Sequence, residues 1–214
     1  MSPRAKAGPD TGSNLAAGLD IAAAPDLDRL LELTLQCTGC GLRAGCRQVV
    51  FGEGNPRATL MLIGEGPGEQ EDLQGRPFVG AAGQLLDKIL AAIGLAREDV
   101  YIANIVKCRP PHNRVPTDDE AEACSPHLAA QLSLIRPKVI AALGATATRA
   151  LLGKELRITK ARGSWMEKDG IMYMPTYHPA ALLRDPGKKR DVWEDMKMVR
   201  DYLVSQGLFP NPGP

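Results

Sequence analysis

The chain has 214 residues, of which 44% are hydrophobic and 4% aromatic, with a formal net charge of +1. That length suits one compact domain with a core large enough to stand without disulfide staples. The near-zero charge argues mildly against a protein that coats nucleic acid through an overall basic field, so any contact with DNA must come from a local patch. No apolar run approaches the roughly 20 residues of a membrane span. Residues 1–24 lack the positive and apolar regions of a secretory signal. The chain is therefore read as cytoplasmic, where thiols stay reduced. Its five cysteines then point to a metal site, a reactive thiol or buried side chains before disulfides.

Residues 1–24, rich in Ala, Gly, Pro and Asp without a sustained period, read as a disordered tail. A helix starts near Asp26, carries Leu27, Leu30, Leu31 and Leu35 on one face, and runs out at Cys37-Thr-Gly-Cys40. Residues 59–63 form a short apolar strand that ends in the glycine-rich stretch Gly64-Glu-Gly-Pro-Gly68. A helix over about 82–93 is stopped by Gly94, and a second strand spans 100–106. Pro116 and Thr117 open the next helix, where Thr117-x-x-Glu120 fits a capping box. The third strand is 138–143, followed by a helix to Leu152. The fourth strand, 171–176, leads into Tyr177-His-Pro179, and a last helix occupies about 190–205. Residues 208–214 complete the chain as a C-terminal tail, leaving one domain over 25–207. Apolar strands alternating with helices predict an α/β fold, a three-layer α/β/α arrangement around a mostly parallel four-stranded sheet. Sites in such folds gather at the carboxyl ends of the strands, and the unusual residues lie after Ile63, Val106 and Thr176.

Cys37-x2-Cys40 can place two thiols on one metal centre, with a spacing shared by zinc and iron–sulfur sites. Cys108 follows the second strand, and Cys124 lies within the next helix. The proline-rich loop between them could fold back and join both to the first pair. Cys46 is left over. Spacing alone does not separate zinc from a [4Fe–4S] cluster.

The segments Gly64-Glu-Gly-Pro-Gly68-Glu-Gln-Glu-Asp72 and Gly75-Arg-Pro-Phe-Val-Gly-Ala-Ala-Gly-Gln-Leu-Leu86 closely resemble the first motif of the family 4 uracil-DNA glycosylases. Asn104-Ile-Val-Lys-Cys-Arg-Pro-Pro111 and His178-Pro-Ala-Ala-Leu-Leu-Arg184 look like its later motifs. The four blocks stand in the right order and the resemblance covers about 33–203. It implies a DNA-repair enzyme that flips uracil out of DNA and hydrolyses its N-glycosidic bond. A structural [4Fe–4S] cluster on Cys37, Cys40, Cys108 and Cys124, uracil-containing DNA (single- or double-stranded) as partner, and a monomeric enzyme are implied with it.

The residue chemistry is consistent with that expectation. Uracil presents two carbonyl acceptors and one N–H donor, so a side-chain amide such as Asn104 can read N3–H and O4 together, and it rejects cytosine, whose pattern is reversed. Phe78 matches the family's base-stacking ring, and Gly64, Glu65 and Gly66 lie beside the uracil. His178 matches the histidine that faces uracil O2, where a donor stabilises the charge that grows on the leaving base. A better-known branch of the superfamily carries Gly-Gln-Asp-Pro-Tyr, whose Asp activates water; Gly66 stands at that position here. Glu65 is then the nearest carboxylate able to stabilise the sugar cation and orient water, whereas Glu71 and Asp72 read as structural. Gly64, Gly68, Gly80 and Gly83 permit close approach to phosphates near a helix start. Leu182, Leu183 and Arg184 resemble the minor-groove wedge, and Lys188, Lys189 and Arg190 could hold phosphates. No lysine in the matched motifs occupies a nucleophile position, so strand scission is not expected. Two rivals remain: a uracil-DNA trap acting through a histidine in an inserted basic loop, where this chain has His112 after Cys108 but no long Lys/Arg insertion, and a metal-dependent structural or redox protein on a borrowed scaffold.

Overall fold

The computed structural model describes residues 20–209. It is an α/β/α sandwich around a six-stranded mixed sheet. In chain order the elements are α1 (Leu27–Leu35), α2 (Leu42–Gly45), β1 (Glu53–Gly54), β2 (Leu60–Gly64), α3 (Glu69–Gln74), α4 (Ala81–Ala92) and β3 (Tyr101–Asn104). There follow α5 (Asp118–Ile135), β4 (Val139–Leu143), α6 (Gly144–Leu152), α7 (Ile158–Ala161), β5 (Met166–Lys168), β6 (Ile171–Thr176), α8 (Pro179–Arg184) and α9 (Lys189–Ser205).

The four expected strands form the parallel centre, in the order β3-β2-β4-β6. Two short antiparallel strands, β1 against β3 and β5 against β6, extend the edges beyond the expected four. They span two and three residues, too few to show an alternating pattern. The period of two along each strand divides the core. Met61, Ile63, Ala103, Ile140 and Ala142 pack under α5 and α6, while Leu60, Leu62, Ile102, Val139 and Ala141 pack against α4 and α9.

Helix starts are set as the sequence signals. Asp26 accepts the Arg29 N–H at 2.8 Å, and Thr117 and Glu120 exchange the two bonds of the capping box. Within α5, Pro126 has no N–H to give to the Glu122 carbonyl; the Ser125 hydroxyl donates to it instead at 2.8 Å. The folded body is wider than 25–207. Ile21 and Ala24 are buried with Leu30, Leu33 and Phe51, and the Leu208 carbonyl accepts the Thr59 hydroxyl at 3.1 Å. Residues 1–19 and 210–214 of the two expected tails lie outside the described residues.

Candidate active site

The carboxyl ends of β2, β3 and β6 open into one cavity of about 870 Å³. Asn104, the last residue of β3, lies at its floor and is 2% exposed. Its side-chain Oδ1 is buried and, among the described residues, has no hydrogen-bond partner. A buried acceptor left unpaired costs roughly 1–3 kcal/mol, so this atom is arranged for a donor arriving from the cavity. Gly64 explains how that amide fits. A Cβ there would lie 2.5 Å from Asn104 Oδ1 and 2.5 Å from the Phe78 ring, so Gly64 makes room for both rather than for a phosphate.

Phe78 is held in the left-handed region, φ 51°. Arg97, which the sequence reading did not single out, explains why. Its guanidinium donates to the Phe78 carbonyl at 3.0 Å and the Pro77 carbonyl at 2.7 Å, and pairs with Asp87 and Glu53. Buried between these partners, the Arg97 guanidinium keeps its charge firmly, and Glu53 is held below the usual carboxylate range despite its own burial. The Phe78 ring stands 5.4 Å from that of His178, tilted by 31°.

His178 caps α8 and lines the cavity. Its Nδ1 accepts the Ala180 N–H at 3.2 Å, which leaves the proton of a neutral ring on Nε2. Desolvation, helped by Arg184, pushes its pKa down to about 4. The residue is thus a neutral N–H donor at neutral pH. The strand behind it is anchored by Thr176, whose hydroxyl donates to the buried Asp195 at 2.6 Å; Arg162 pairs with the same carboxylate.

Glu65 lines the cavity, and its carboxylate accepts the Thr146 hydroxyl from α6 at 2.5 Å. Thr146 is a further site residue that the sequence reading missed, because 81 residues separate the pair. Gly66 faces Val106: a Cβ would lie 2.8 Å from Val106 Cγ2, which explains why no larger residue stands there.

Several expected DNA contacts need correction. The Gly68 and Gly80 N–H groups are not free for phosphates, since Glu71 accepts both, at 3.2 and 2.8 Å, together with the Val79 N–H. Gly83 is buried in α4, and a Cβ there would collide with the Phe78 carbonyl; it allows tight packing of α4 against the Phe78 loop. Leu182 is 1% exposed and belongs to the core, whereas Leu183 is 49% exposed and can act as a wedge. Arg184 lines the cavity and is exposed. Lys188 lines it too, although its ammonium is paired with Asp185 at 2.8 Å and lies 5.5 Å from the Tyr177 ring centre. Glu71 and Asp72 are structural as expected, Asp72 accepting the Arg47 N–H at 2.9 Å. His112 is exposed and lies outside the cavity lining.

Away from the strand ends, Cys37, Cys40, Cys108 and Cys124 line a second, small cavity with Thr34, Lys107 and His127. Cys46 stands beside Cys108 and does not line it. Burial, and for Cys108 the neighbouring Cys46, Cys124 and Cys40, push the Cys108 thiol well up, and the Cys124 thiol up to about 11. Backbone N–H groups point at two of the sulfurs, Gly39 at Cys37 (3.4 Å) and Lys107 at Cys124 (3.3 Å), and the buried His127 Nε2 has no partner among the described residues. Among the described residues no three Cys, His, Asp or Glu side chains converge as a single ion requires. A cubane places each thiolate on a different iron, so the four-thiol donor set and its N–H groups fit a cluster.

A cavity with an amide floor, an aromatic wall and a neutral histidine at the strand ends defines the class. Residues 51–197 match the Uracil DNA glycosylase superfamily. Three relatives, each called "Type-4 uracil-DNA glycosylase", narrow it. That of Thermotoga maritima is 47% identical over 82% of this chain and 94% of its own. Those of Sulfurisphaera tokodaii and Saccharolobus solfataricus are each 44% identical, over 84% and 86% of this chain and 86% and 89% of their own. The chain belongs to the type-4 uracil-DNA glycosylases. Among the described residues no helix is long and apolar enough to cross a membrane.

Proposed function

We propose that this chain removes uracil from DNA by the following division of labour. The observation that carries the reading is the orphaned Oδ1 of Asn104 at the cavity floor. Uracil N3–H is a donor of the kind that atom lacks, and the adjoining amide N–H can meet O4. Phe78 covers one face of the flipped base, and the Nε2–H of neutral His178 meets O2 as negative charge develops there. Glu65, oriented by Thr146, faces the sugar side, stabilises the oxocarbenium character and directs water onto C1′. The product is free uracil and an abasic site with the strand intact. Leu183 fills the gap in the duplex, and Arg184 and Lys188 contact phosphates.

A [4Fe–4S] cluster on Cys37, Cys40, Cys108 and Cys124 would supply structural tethering, holding the segment after α1 to the loop between β3 and α5. No step of base release runs through it. The enzyme acts as a monomer in the cytoplasm on single- and double-stranded DNA. A trapping protein has no support in this arrangement: His112 does not line the cavity, and the matched relatives bear the names of glycosylases.

The test is gel cleavage of uracil-containing oligonucleotides after alkali treatment. Wild type yields alkali-labile sites and free uracil, and Asn104→Ala loses most of that yield. Strand breaks without alkali, or a persistent covalent adduct in place of free uracil, would refute the mechanism.

A further inference from the structure

Lys107 is 1% exposed, although a buried ammonium is costly unless its protons are well accommodated. Its Nζ donates to the Asn104 backbone carbonyl at 3.0 Å and to Gln131 Oε1 at 2.6 Å. Both partners are neutral, and among the described residues no carboxylate pairs with it within 4.0 Å. The other end of the same residue faces the cysteines: its backbone N–H donates to Cys124 Sγ at 3.3 Å, and its carbonyl accepts the Val50 N–H at 2.8 Å. Gln131 extends the network to the Phe51 carbonyl at 2.9 Å and the Tyr101 hydroxyl at 3.3 Å. One residue therefore touches the backbone of the base-reading asparagine and the sulfur of a proposed cluster ligand.

Such a cation needs a counter-charge in a low-dielectric interior. Thiolates around a bound metal group supply it, with Cys124 directly against the Lys107 backbone. We propose that Lys107 is a positioning residue that couples the metal site to the uracil pocket: the anionic metal group holds the Lys107 ammonium, which fixes the Asn104 carbonyl at the end of β3 and so aims its amide. Coupling between two binding sites is reciprocal. Filling the pocket with uracil must therefore hold the metal group in place. The inference rests on the cysteine reading above only in locating the metal; the coupling itself applies to whichever metal those thiols hold.

The experiment measures metal release from the purified holoenzyme to an excess of chelator, with and without saturating free uracil, cytosine serving as the control base. Iron or zinc is identified by the chromogenic chelator that responds. For wild type, uracil is expected to slow release about 5-fold, the lower end of ordinary coupling, and cytosine to leave it unchanged. In Lys107→Met the uracil effect should vanish while Lys107→Arg retains part of it. Should Lys107→Met fail to fold or to load metal, Gln131→Leu, which removes one of the two Nζ acceptors, is expected to reduce the protection by about half. Equal release rates with and without uracil in wild type, or full protection in both Lys107→Met and Gln131→Leu, overturn the coupling. Release of zinc instead of iron overturns the cluster assignment and leaves the coupling standing.

Discussion

The proposed base pocket and the exposed lip beside it, proposed to meet the DNA, are built on opposite plans. The groups of the pocket are set by their surroundings: Gly64 leaves space for Asn104 and Phe78, Arg97 pins the Phe78 carbonyl, and the Ala180 N–H sets the His178 tautomer. Leu183 and Arg184 sit exposed on a six-residue helix, held chiefly by the buried Leu182 beneath them. Buried, pre-oriented groups give discrimination and rate, because each is worth most where water is excluded and reorganisation is already complete. Exposed groups give grip, which is shared among several contacts and screened by salt. Pocket variants should therefore change the single-turnover rate at constant salt dependence, and lip variants the reverse.

The strongest challenge to that contrast is Asn104→Ala. A site built around a hydrogen-bonding pair loses heavily when the pair is broken, so kcat/KM should fall about 10³-fold with the salt slope unchanged, as measured on oligonucleotides over a range of KCl. Removing the Nε2 donor with His178→Ala should lower the single-turnover rate about 10²-fold while DNA affinity holds, the usual size of one lost oxyanion donor.

The same histidine has a signature in stability. Its pKa is near 4 in the folded protein against an ordinary 6.5. Between those values the unfolded chain binds the extra proton and the folded chain does not, so stability drops as pH falls from about 6.5 to about 4. Urea midpoints of wild type should decline across that window more steeply than those of His178→Gln; parallel curves would contradict a desolvated neutral ring.

Arg97→Met sharpens the contrast from outside the cavity. Leaving the Phe78 and Pro77 carbonyls and Glu53 without their donor should cost about 2 kcal/mol of stability, and loosening the Phe78 platform should raise KM more than it lowers kcat. Thermal melts and steady-state kinetics read the two effects separately. Smallest of all, Arg184→Ala should leave the rate on single strands intact and reduce the salt slope by about one; an unchanged slope would remove this side chain from the DNA path.

The division between what the sequence disclosed and what it concealed follows contact range. The four parallel strands were legible because each is a short apolar run buried on both faces. Asn104 and His178 were legible because their chemistry sits at strand ends within compact motifs. Thr146 and Arg97 were not, since each acts on a residue far along the chain and no local pattern announces the meeting. Leu182 and Leu183 show a finer limit: adjacent and chemically equal, they part company only when the helix is docked and one faces the core. The glycines mislead similarly. Gly83 lies open to any reading from the sequence, but its reason is the Phe78 carbonyl against its α-carbon.

Gly66 carries a consequence for how this branch of the superfamily relates to the branch with aspartate at that position. The space a side chain would take is held by the buried, branched Val106. Introducing the aspartate alone must push that valine out of a packed interior, so the first step costs stability before any new chemistry appears. A path between glycine and aspartate at this position therefore runs through a paired change, in which Val106 shrinks before or together with the gain at Gly66. Gly66→Asp combined with Val106→Ala should recover folding that Gly66→Asp alone loses, and the order in which the two substitutions are tolerated marks the ridge that separates the lineages.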